Sequence, residues 1–133
     1  MAAAGTLIAV ALGGSAGALA RFGLVSAIQK ATVQHPLWQG LPVGTLFVNI
    51  SGSLLIGILY ILLTEKLLPG EHWRPLLMVG FLGAFTTFSS FSLETLQLLE
   101  RGMAVQALLY TLGSVVFCLL ASWLGMALTR ALA

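Results

Sequence analysis

Residues 80–95 read GFLGAFTTFSSFSLET and lie inside a long apolar segment. The stretch contains two glycines and a run of hydroxyl side chains, and Phe85, Phe88 and Phe91 recur at three-residue spacing. Hydroxyl groups and glycines at bilayer depth either join helices or mark a helix break whose freed backbone groups line a site. We favour the second interpretation. The sequence therefore predicts a third helix that is broken near its middle, around residues 83–87.

The composition of the whole chain is that of an integral membrane protein. Of its 133 residues, 59% are hydrophobic and 8% are charged, and the mean hydropathy is +1.03. A soluble domain has about 25% charged residues, so this chain has too few polar groups to cover a water-facing surface. Its single cysteine excludes an intrachain disulfide. The net charge of +2 forms no basic patch, so no nucleic acid partner is expected.

Hydropathy divides the chain into four predicted membrane spans within one transmembrane domain, residues 1–133. Each window is about twenty residues or more, the length that crosses a hydrocarbon core of about 30 Å. The predicted spans are approximately residues 6–28, 43–63, 75–99 and 105–128. No Lys or Arg precedes the first span and the apolar run continues past Arg21, so we predict a retained helix rather than a signal peptide. The predicted fold class is an all-α membrane protein.

The cations are balanced between the two sides of the predicted membrane. One side holds Lys66, Arg74 and Arg130, and the other holds Lys30, Arg101 and Arg21. The positive-inside rule therefore gives no preferred orientation. Either one or two of these charges dominate and hide a bias, or the chain inserts both ways and pairs as an antiparallel, dual-topology homodimer. Association with a second copy is expected in both cases, because four spans with short loops are too few to enclose a wide aqueous path.

The second span carries a polar stripe of Thr45, Asn49, Ser53 and Gly57, with Gly52 beside it. Residues four apart lie on one helical face. The amide of Asn49 offers two N–H donors and a carbonyl acceptor, and at the bilayer centre it must find a partner. A hydrogen bond between helices is the plainer explanation. Since Asn49 faces a second polar stretch, we favour a ligand on an ion pathway.

A similar stripe of Tyr110, Ser114, Cys118 and Ser122 runs along the fourth span. We assign Cys118 and Ser122 to helix packing through small residues. The hydroxyls of Tyr110 and Ser114 are instead candidates for donating hydrogen bonds to a species that passes through the protein.

Two charged residues lie toward the ends of spans. Arg21 either extends its side chain to the interface or provides a fixed positive charge that draws anions into a vestibule, and the sequence does not separate these possibilities. Glu94 is the only acid within a predicted span. It lies toward the end of the third span and is expected near water rather than at the midplane.

A break in the third helix leaves backbone groups available for ions. Unwound carbonyls can face a cation, and the N-terminus of the following half-helix suits an anion. Phe88 and Phe91 share a face, and phenyl rings have electropositive edges. Ordinary packing is the usual role of such a pair. In the company of Asn49 and the hydroxyl run, we interpret the two rings as part of a weakly polar anion corridor.

The sequence does not indicate an enzyme, because it contains no nucleophile–base pair, metal-ligand cluster or phosphate-binding glycine loop. Two other classes remain alternatives to a channel. A small proton-coupled multidrug exporter has a similar size, but it needs an acid in its first span, and residues 6–28 contain none. In a non-transporting membrane scaffold, the polar residues would only join helices.

Three stretches together carry a resemblance to a known family: GTLFVNISGSLLIG at residues 44–57, GFLGAFTTFSSFSLET at 80–95 and the early GALARF at 17–22. They resemble the Fluc/CrcB family of bacterial fluoride channels over essentially the whole chain. The resemblance implies an antiparallel, dual-topology homodimer with two pores and a structural Na⁺ at its centre. It also implies a passive, fluoride-selective channel that exports fluoride across the bacterial plasma (inner) membrane and so reduces fluoride toxicity.

The resemblance further implies a role for each site residue. The backbone carbonyls of Gly83 and Thr86 would hold the sodium ion, and fluoride would pass Asn49, Phe88 and Phe91. Tyr110 and Ser114 match the polar positions of the fourth helix that continue the fluoride track, and Thr45 is a further candidate. Arg21 and Glu94 match family positions near the vestibules. The sequence departs from the family pattern at Leu82, Ala84, Ser90 and Cys118. Since the first three replacements are small or conservative, we expect the break to persist, whereas Cys118 puts the far end of the track in question.

Overall fold

The computed structural model describes residues 2–66 and 70–132, and it is helical with no strand in those two ranges. The helices are α1 (Ala2–Thr32), α2 (Val43–Ile61), α3 (Gly70–Trp73), α4 (Gly83–Phe85), α5 (Phe88–Glu100) and α6 (Ala104–Leu132). Two wider π-helical segments, Leu62–Lys66 and Arg74–Leu82, extend α2 and connect α3 to α4. The connection at 67–69, inside the loop predicted between the second and third spans, lies outside the described residues.

Four helical stretches in the described chain are long and apolar enough to cross a bilayer. They run over Ala3–Thr32, Val43–Glu65, Arg74–Glu100 and Ala104–Leu132. The prediction of four membrane-spanning helices is therefore confirmed. The helices begin and end up to a few residues beyond the predicted apolar windows, because backbone hydrogen bonding continues past the hydrocarbon-matched segment.

The first span packs closely against the third through glycines. Gly13 and Gly17 of α1 face the backbone of Leu76 and Phe81, so closely that a Cβ atom at either glycine would overlap a carbonyl oxygen. Small residues let helix backbones approach in a membrane, where dispersion contacts replace the hydrophobic effect as the main attraction. The four-residue spacing of Gly13 and Gly17 in the sequence predicts such close helix packing, and this prediction is confirmed.

The second and fourth spans form another close helix pair. A Cβ atom at Gly57 would overlap the carbonyl of Ser122, and one at Gly125 would overlap the carbonyl of Leu54. The Ser122 hydroxyl also donates a 2.9 Å hydrogen bond to the Ser53 carbonyl. The packing role predicted for Ser122 is thus confirmed, and α2 is held between α6 and the other two spans.

The third span changes backbone geometry near its middle. The α4 turn ends at Phe85, and Thr86 has φ −87° and ψ 157°. Thr87 follows with φ −151° and ψ 123°, and α5 begins at Phe88. We call Thr86 and Thr87 the extended pair.

The turn between the third and fourth spans satisfies the end of α5. Gly102 has φ 75°, and its N–H donates to the Leu99 carbonyl at 2.9 Å. The Met103 N–H donates to the Leu98 carbonyl, also at 2.9 Å. These two bonds form a Schellman motif, in which glycine adopts the left-handed conformation without steric cost. The sequence Glu100-Arg101-Gly102 between the third and fourth apolar windows predicts a tight turn, and this prediction is confirmed.

Candidate functional site

Asn49 of α2 binds the backbone of the extended pair at two points. Its Nδ2 donates to the Thr87 carbonyl at 3.0 Å, and its Oδ1 accepts from the Thr87 N–H at 2.8 Å. The interhelical hydrogen bond that was one of two explanations for Asn49 is therefore present. Its amide has a second N–H, and Asn49 also lines a cavity next to the extended pair.

The extended pair withdraws hydrogen-bond donors from two carbonyls of the third span. In a continuous α-helix, the Thr87 N–H would bond the Gly83 carbonyl and the Ser90 N–H would bond the Thr86 carbonyl. Here the Thr87 N–H donates to Asn49. The Ser90 N–H donates instead to the Thr87 hydroxyl at 3.2 Å. The carbonyls of Gly83 and Thr86, named above as cation ligands, are thus among those that lose their usual donors.

Thr87 is a site residue that the sequence prediction did not single out. Its side chain caps the N-terminus of α5 by accepting from Ser90. Its hydroxyl lies 3.2 Å from the Ser90 hydroxyl and 3.3 Å from that of Ser89. Threonine three residues before a serine, at the start of a helix, is a typical N-cap arrangement. That signal was present in TTFSS, although it does not reveal the bond to Asn49.

The first cavity has a volume of about 390 Å³ and lies between α2, α6 and the middle of the third span. Its polar contributions come from Asn49, the extended pair, Ser53, Ser114 and Cys118. Ser114 is only 6% exposed. Its Oγ is buried and has no hydrogen-bond partner within residues 2–66 and 70–132. A buried hydroxyl without a partner is unfavourable, so the cavity presents an unused donor to whatever occupies it.

Phe88 and Phe91 line the same cavity as that hydroxyl. Their ring centroids lie 5.3 Å apart with planes tilted by 49°. The centroid of the Phe91 ring also lies 5.4 Å from that of the Tyr110 ring, and the planes of these two rings are tilted by 46°. Phe91 is buried at 8% exposure, whereas Phe88 is 77% exposed. The two rings therefore differ, since one is fixed in the core of this chain and the other projects from its surface.

Glu94 joins two spans through hydrogen bonds to hydroxyl groups. The Thr45 hydroxyl donates to Oε1 at 2.7 Å, and the Tyr110 hydroxyl donates to Oε2 at 2.8 Å. Thr45 and Tyr110 are both buried, and Glu94 is half-buried. The structure therefore engages the Tyr110 hydroxyl with Glu94, while the Ser114 hydroxyl one turn along α6 has no such partner in the described chain.

A second polar cavity, of about 310 Å³, lies on the other side of the extended pair. It is lined by Arg21 together with Thr45, Thr87, Ser90 and Glu94. The Nε atom of Arg21 is buried and has no hydrogen-bond partner in the described part of the chain. Eight of the ten predicted site residues form two groups, and Gly83 and Tyr110 line neither of these two cavities. Asn49, Thr86, Phe88, Phe91 and Ser114 line the first cavity, and Arg21, Thr45 and Glu94 line the second.

Cys118 lines the first cavity one turn beyond Ser114. The sequence assigned it to helix packing, and its thiol is half-buried and free of a disulfide. No cluster of three or more His, Cys, Asp or Glu side chains occurs in the two described ranges.

These features define a class of protein: a multi-pass helical membrane protein with cavities between its spans that include polar side chains in their walls. The family model described as "CrcB-like protein, Camphor Resistance (CrcB)" matches residues 8–126. The chain belongs to this family, and the resemblance identified from its three stretches is confirmed.

Several relatives are similar over nearly all of this chain. A Methylococcus capsulatus protein named "Fluoride-specific ion channel FluC" is 48% identical over 130 residues, which are 96% of this chain and 54% of that protein, so this chain spans about half of its length. Proteins of the same name from Magnetococcus marinus and Coxiella burnetii are 48% and 43% identical. These matches cover 91% and 95% of this chain, and 94% and 98% of the relatives. The family and its bacterial members indicate a multi-pass bacterial membrane protein.

Proposed function

We propose that this chain is a passive fluoride-selective channel rather than an enzyme. The observation that carries the proposal is the Ser114 hydroxyl, buried without a partner in a cavity whose wall includes Phe88 and Phe91. A hydroxyl proton and the electropositive edges of phenyl rings attract an anion without holding it as tightly as a full charge would. The relatives are named as fluoride-specific ion channels, and these names suggest the identity of the anion.

The path would use both polar cavities. Arg21 in the second cavity contributes positive charge where an anion approaches from water. The second N–H of Asn49 and the Ser114 hydroxyl then contribute donors beside the two rings. Fluoride is small and strongly hydrated, so donors that replace its water shell must be close to the ion. Such a path lets fluoride leave the cytoplasm down its gradient.

Efflux from liposomes that contain the purified protein tests this function. Fluoride and chloride release are recorded after a potassium ionophore is added to dissipate the charge. Rapid fluoride release with retention of chloride supports the proposal. Retention of both ions by correctly folded protein rejects the channel, and release of both rejects its selectivity. The exporter alternative is not favoured, because the first span contains no acid and the relatives are named as channels.

We propose further that the third span works as a broken helix that holds a structural Na⁺. The extended φ and ψ angles at Thr86 and Thr87 support the break. The Gly83 and Thr86 carbonyls, whose usual donors bond elsewhere, support the ligand assignment. Carbonyls of interrupted membrane helices are suitable ligands for Na⁺. The ion would supply positive charge that draws these carbonyls, and those of a second copy, together.

Sodium dependence can be measured without conduction. A ligand that binds only the folded protein raises its stability as the ligand concentration increases. The unfolding midpoint is therefore expected to rise when Na⁺ replaces N-methyl-D-glucamine in detergent solution. An unchanged midpoint would reject the sodium site.

We propose that two copies associate as an antiparallel homodimer. The exposed Phe88 ring at the edge of the first cavity supports a partner that completes the wall, and the balanced cations support insertion in both orientations. An Ala131→Cys variant in a Cys118→Ser background tests the topology in sealed bacterial spheroplasts. A membrane-impermeant maleimide is expected to label about half of the copies before lysis, since the balanced charges favour neither orientation. Labelling of all copies, or of none, would contradict dual topology.

A further inference from the structure

We propose that Gly52 of α2 is a positioning residue for the third span, because the space at its Cα lets Thr86 adopt its extended conformation. The inference rests on the proposed function only in assigning the Thr86 carbonyl to the ion site. The contact itself is independent of that function. A methyl group at position 52 would overlap the Cγ2 methyl of Thr86, and it would lie 3.2 Å from Cδ1 of the Phe85 ring.

The Thr86 side chain has little freedom to avoid such an overlap. Its hydroxyl donates to the Leu82 carbonyl at 2.9 Å, and its backbone N–H donates to the same carbonyl at 3.0 Å. A β-branched side chain has few χ1 rotamers. Once the hydroxyl is bonded to Leu82, the position of the Cγ2 methyl is set, and that position is directly against Gly52.

Gly52 differs from the other buried glycines of α2. Gly44 and Gly57 lie against backbone carbonyls of neighbouring helices, at Val25 and Ser122, and so permit helix crossings. Gly52 instead lies against two side chains, those of Thr86 and Phe85. Its role is therefore to accommodate the extended pair rather than to bring two helices together.

Asn49 and Gly52 together shape the extended pair from one face of α2. Asn49 lies one turn before Gly52 and fixes the backbone of Thr87 through its two hydrogen bonds. Gly52 receives the side chain of the preceding residue, Thr86. The conformation of the third span is thus determined in part by the second span, and a larger residue at position 52 displaces Thr86 and its carbonyl.

A double-mutant cycle tests this contact. The Cβ methyl group of alanine at position 52 creates the overlap, and removal of the Cγ2 methyl group of Thr86 relieves it. The variants are Gly52→Ala, Thr86→Ser and the double substitution, all in the full chain. Serine keeps the hydroxyl that bonds Leu82 and lacks the Cγ2 methyl. Gly113→Ala is the matched control, since a Cβ atom there would lie 3.7 Å from the nearest atom, in the Phe117 ring.

Gly52→Ala is expected to lower fluoride efflux by about tenfold or more, as overpacking displaces Thr86. It is also expected to raise the Na⁺ concentration that gives half-maximal thermal stabilisation. Gly113→Ala is expected to remain within about threefold of the original efflux, because it introduces no overlap. Thr86→Ser alone is the reference for the double variant, and Gly52→Ala is expected to add little to its effect. The double variant is expected to recover both efflux and sodium response.

A double variant that is as impaired as Gly52→Ala alone, or that does not fold, overturns the inference. Unimpaired Gly52→Ala overturns it as well. The unfolding midpoints of the four proteins are expected to follow the same order as efflux and do not require conduction. If the unsubstituted protein releases no fluoride while the midpoints show rescue, the channel is rejected and the positioning contact stands.

Discussion

The side-chain amide of Asn49 and the backbone of Thr87 exchange two hydrogen bonds, of 3.0 Å and 2.8 Å, between the second and third spans. This reciprocal pair satisfies both polar groups of a residue that the third helix leaves in an extended conformation. Unsatisfied backbone groups are unfavourable at membrane depth. Asn49 therefore stabilises the extended pair as well as lining the cavity beside it.

Asn49→Leu is expected to destabilise the protein by about 1–3 kcal/mol for each backbone group of Thr87 that it leaves without a partner. Ser51→Ala is a matched control, because the Ser51 hydroxyl bonds the Phe47 carbonyl of its own helix. The midpoint of unfolding in detergent measures both effects. Equal stability of the two variants would show that the bonds to Thr87 contribute nothing.

Ser114→Ala is expected to lower fluoride efflux while leaving stability within about 0.5 kcal/mol of the original, since the hydroxyl makes no hydrogen bond in the described chain. The substitution removes a donor that only the cavity can use. Efflux and thermal unfolding are measured on the same preparation. A stability loss with unchanged efflux would contradict the assignment of this hydroxyl to the ion path.

Tyr110→Phe, in contrast to Ser114→Ala, is expected to lower the stability of the protein. Its hydroxyl donates to Glu94 Oε2 at 2.8 Å, so its removal is expected to cost about 1–3 kcal/mol. Thr45→Val removes the other hydrogen bond to the same carboxyl group. Because both bonds share Glu94, the two losses are expected to be non-additive in a double-mutant cycle. Additive losses would indicate that the three side chains do not act as one network.

Gly102→Ala is expected to reduce stability by about 1 kcal/mol, because alanine disfavours the φ of 75° found there. Gly23→Ala is the comparison, since no atom within 4 Å would meet a Cβ atom at that helical position. The comparison variant is expected to be neutral or slightly stabilising. The turn lies outside both cavities, so neither variant is expected to change fluoride efflux. If both glycines respond alike in thermal unfolding, the left-handed conformation at Gly102 is not the cause.

The four spans could be predicted from the sequence because a bilayer imposes a minimum length on every apolar helix. The unusual middle of the third span was also visible, since glycines and hydroxyl groups replace the aliphatic residues expected there. The glycine pair at Gly13 and Gly17 indicated close packing for the same physical reason. In each case, the property depends on residues that are near one another in the chain.

The contacts between residues of different spans could not be predicted in this way. Four-residue spacing places Thr45 and Asn49 on one face of α2, but it does not give the height of the third span beside that face. The bonds from Asn49 to Thr87 and from Tyr110 to Glu94 depend on that relative height. The same limit applies to Gly52, whose neighbour Thr86 lies more than thirty residues further along the chain.

Fluoride efflux from liposomes that contain a Phe88→Ile and Phe91→Ile double variant tests most directly whether fluoride passes beside these two rings. Phe47→Ile is the control, since Phe47 is half exposed on α2 and lines neither polar cavity. The double variant is expected to keep its association state in detergent, and liposomes that contain it are expected to release fluoride no faster than protein-free liposomes. The Phe47→Ile control is expected to conduct fluoride at the original rate. Undiminished fluoride release by the double variant would contradict a path between these rings.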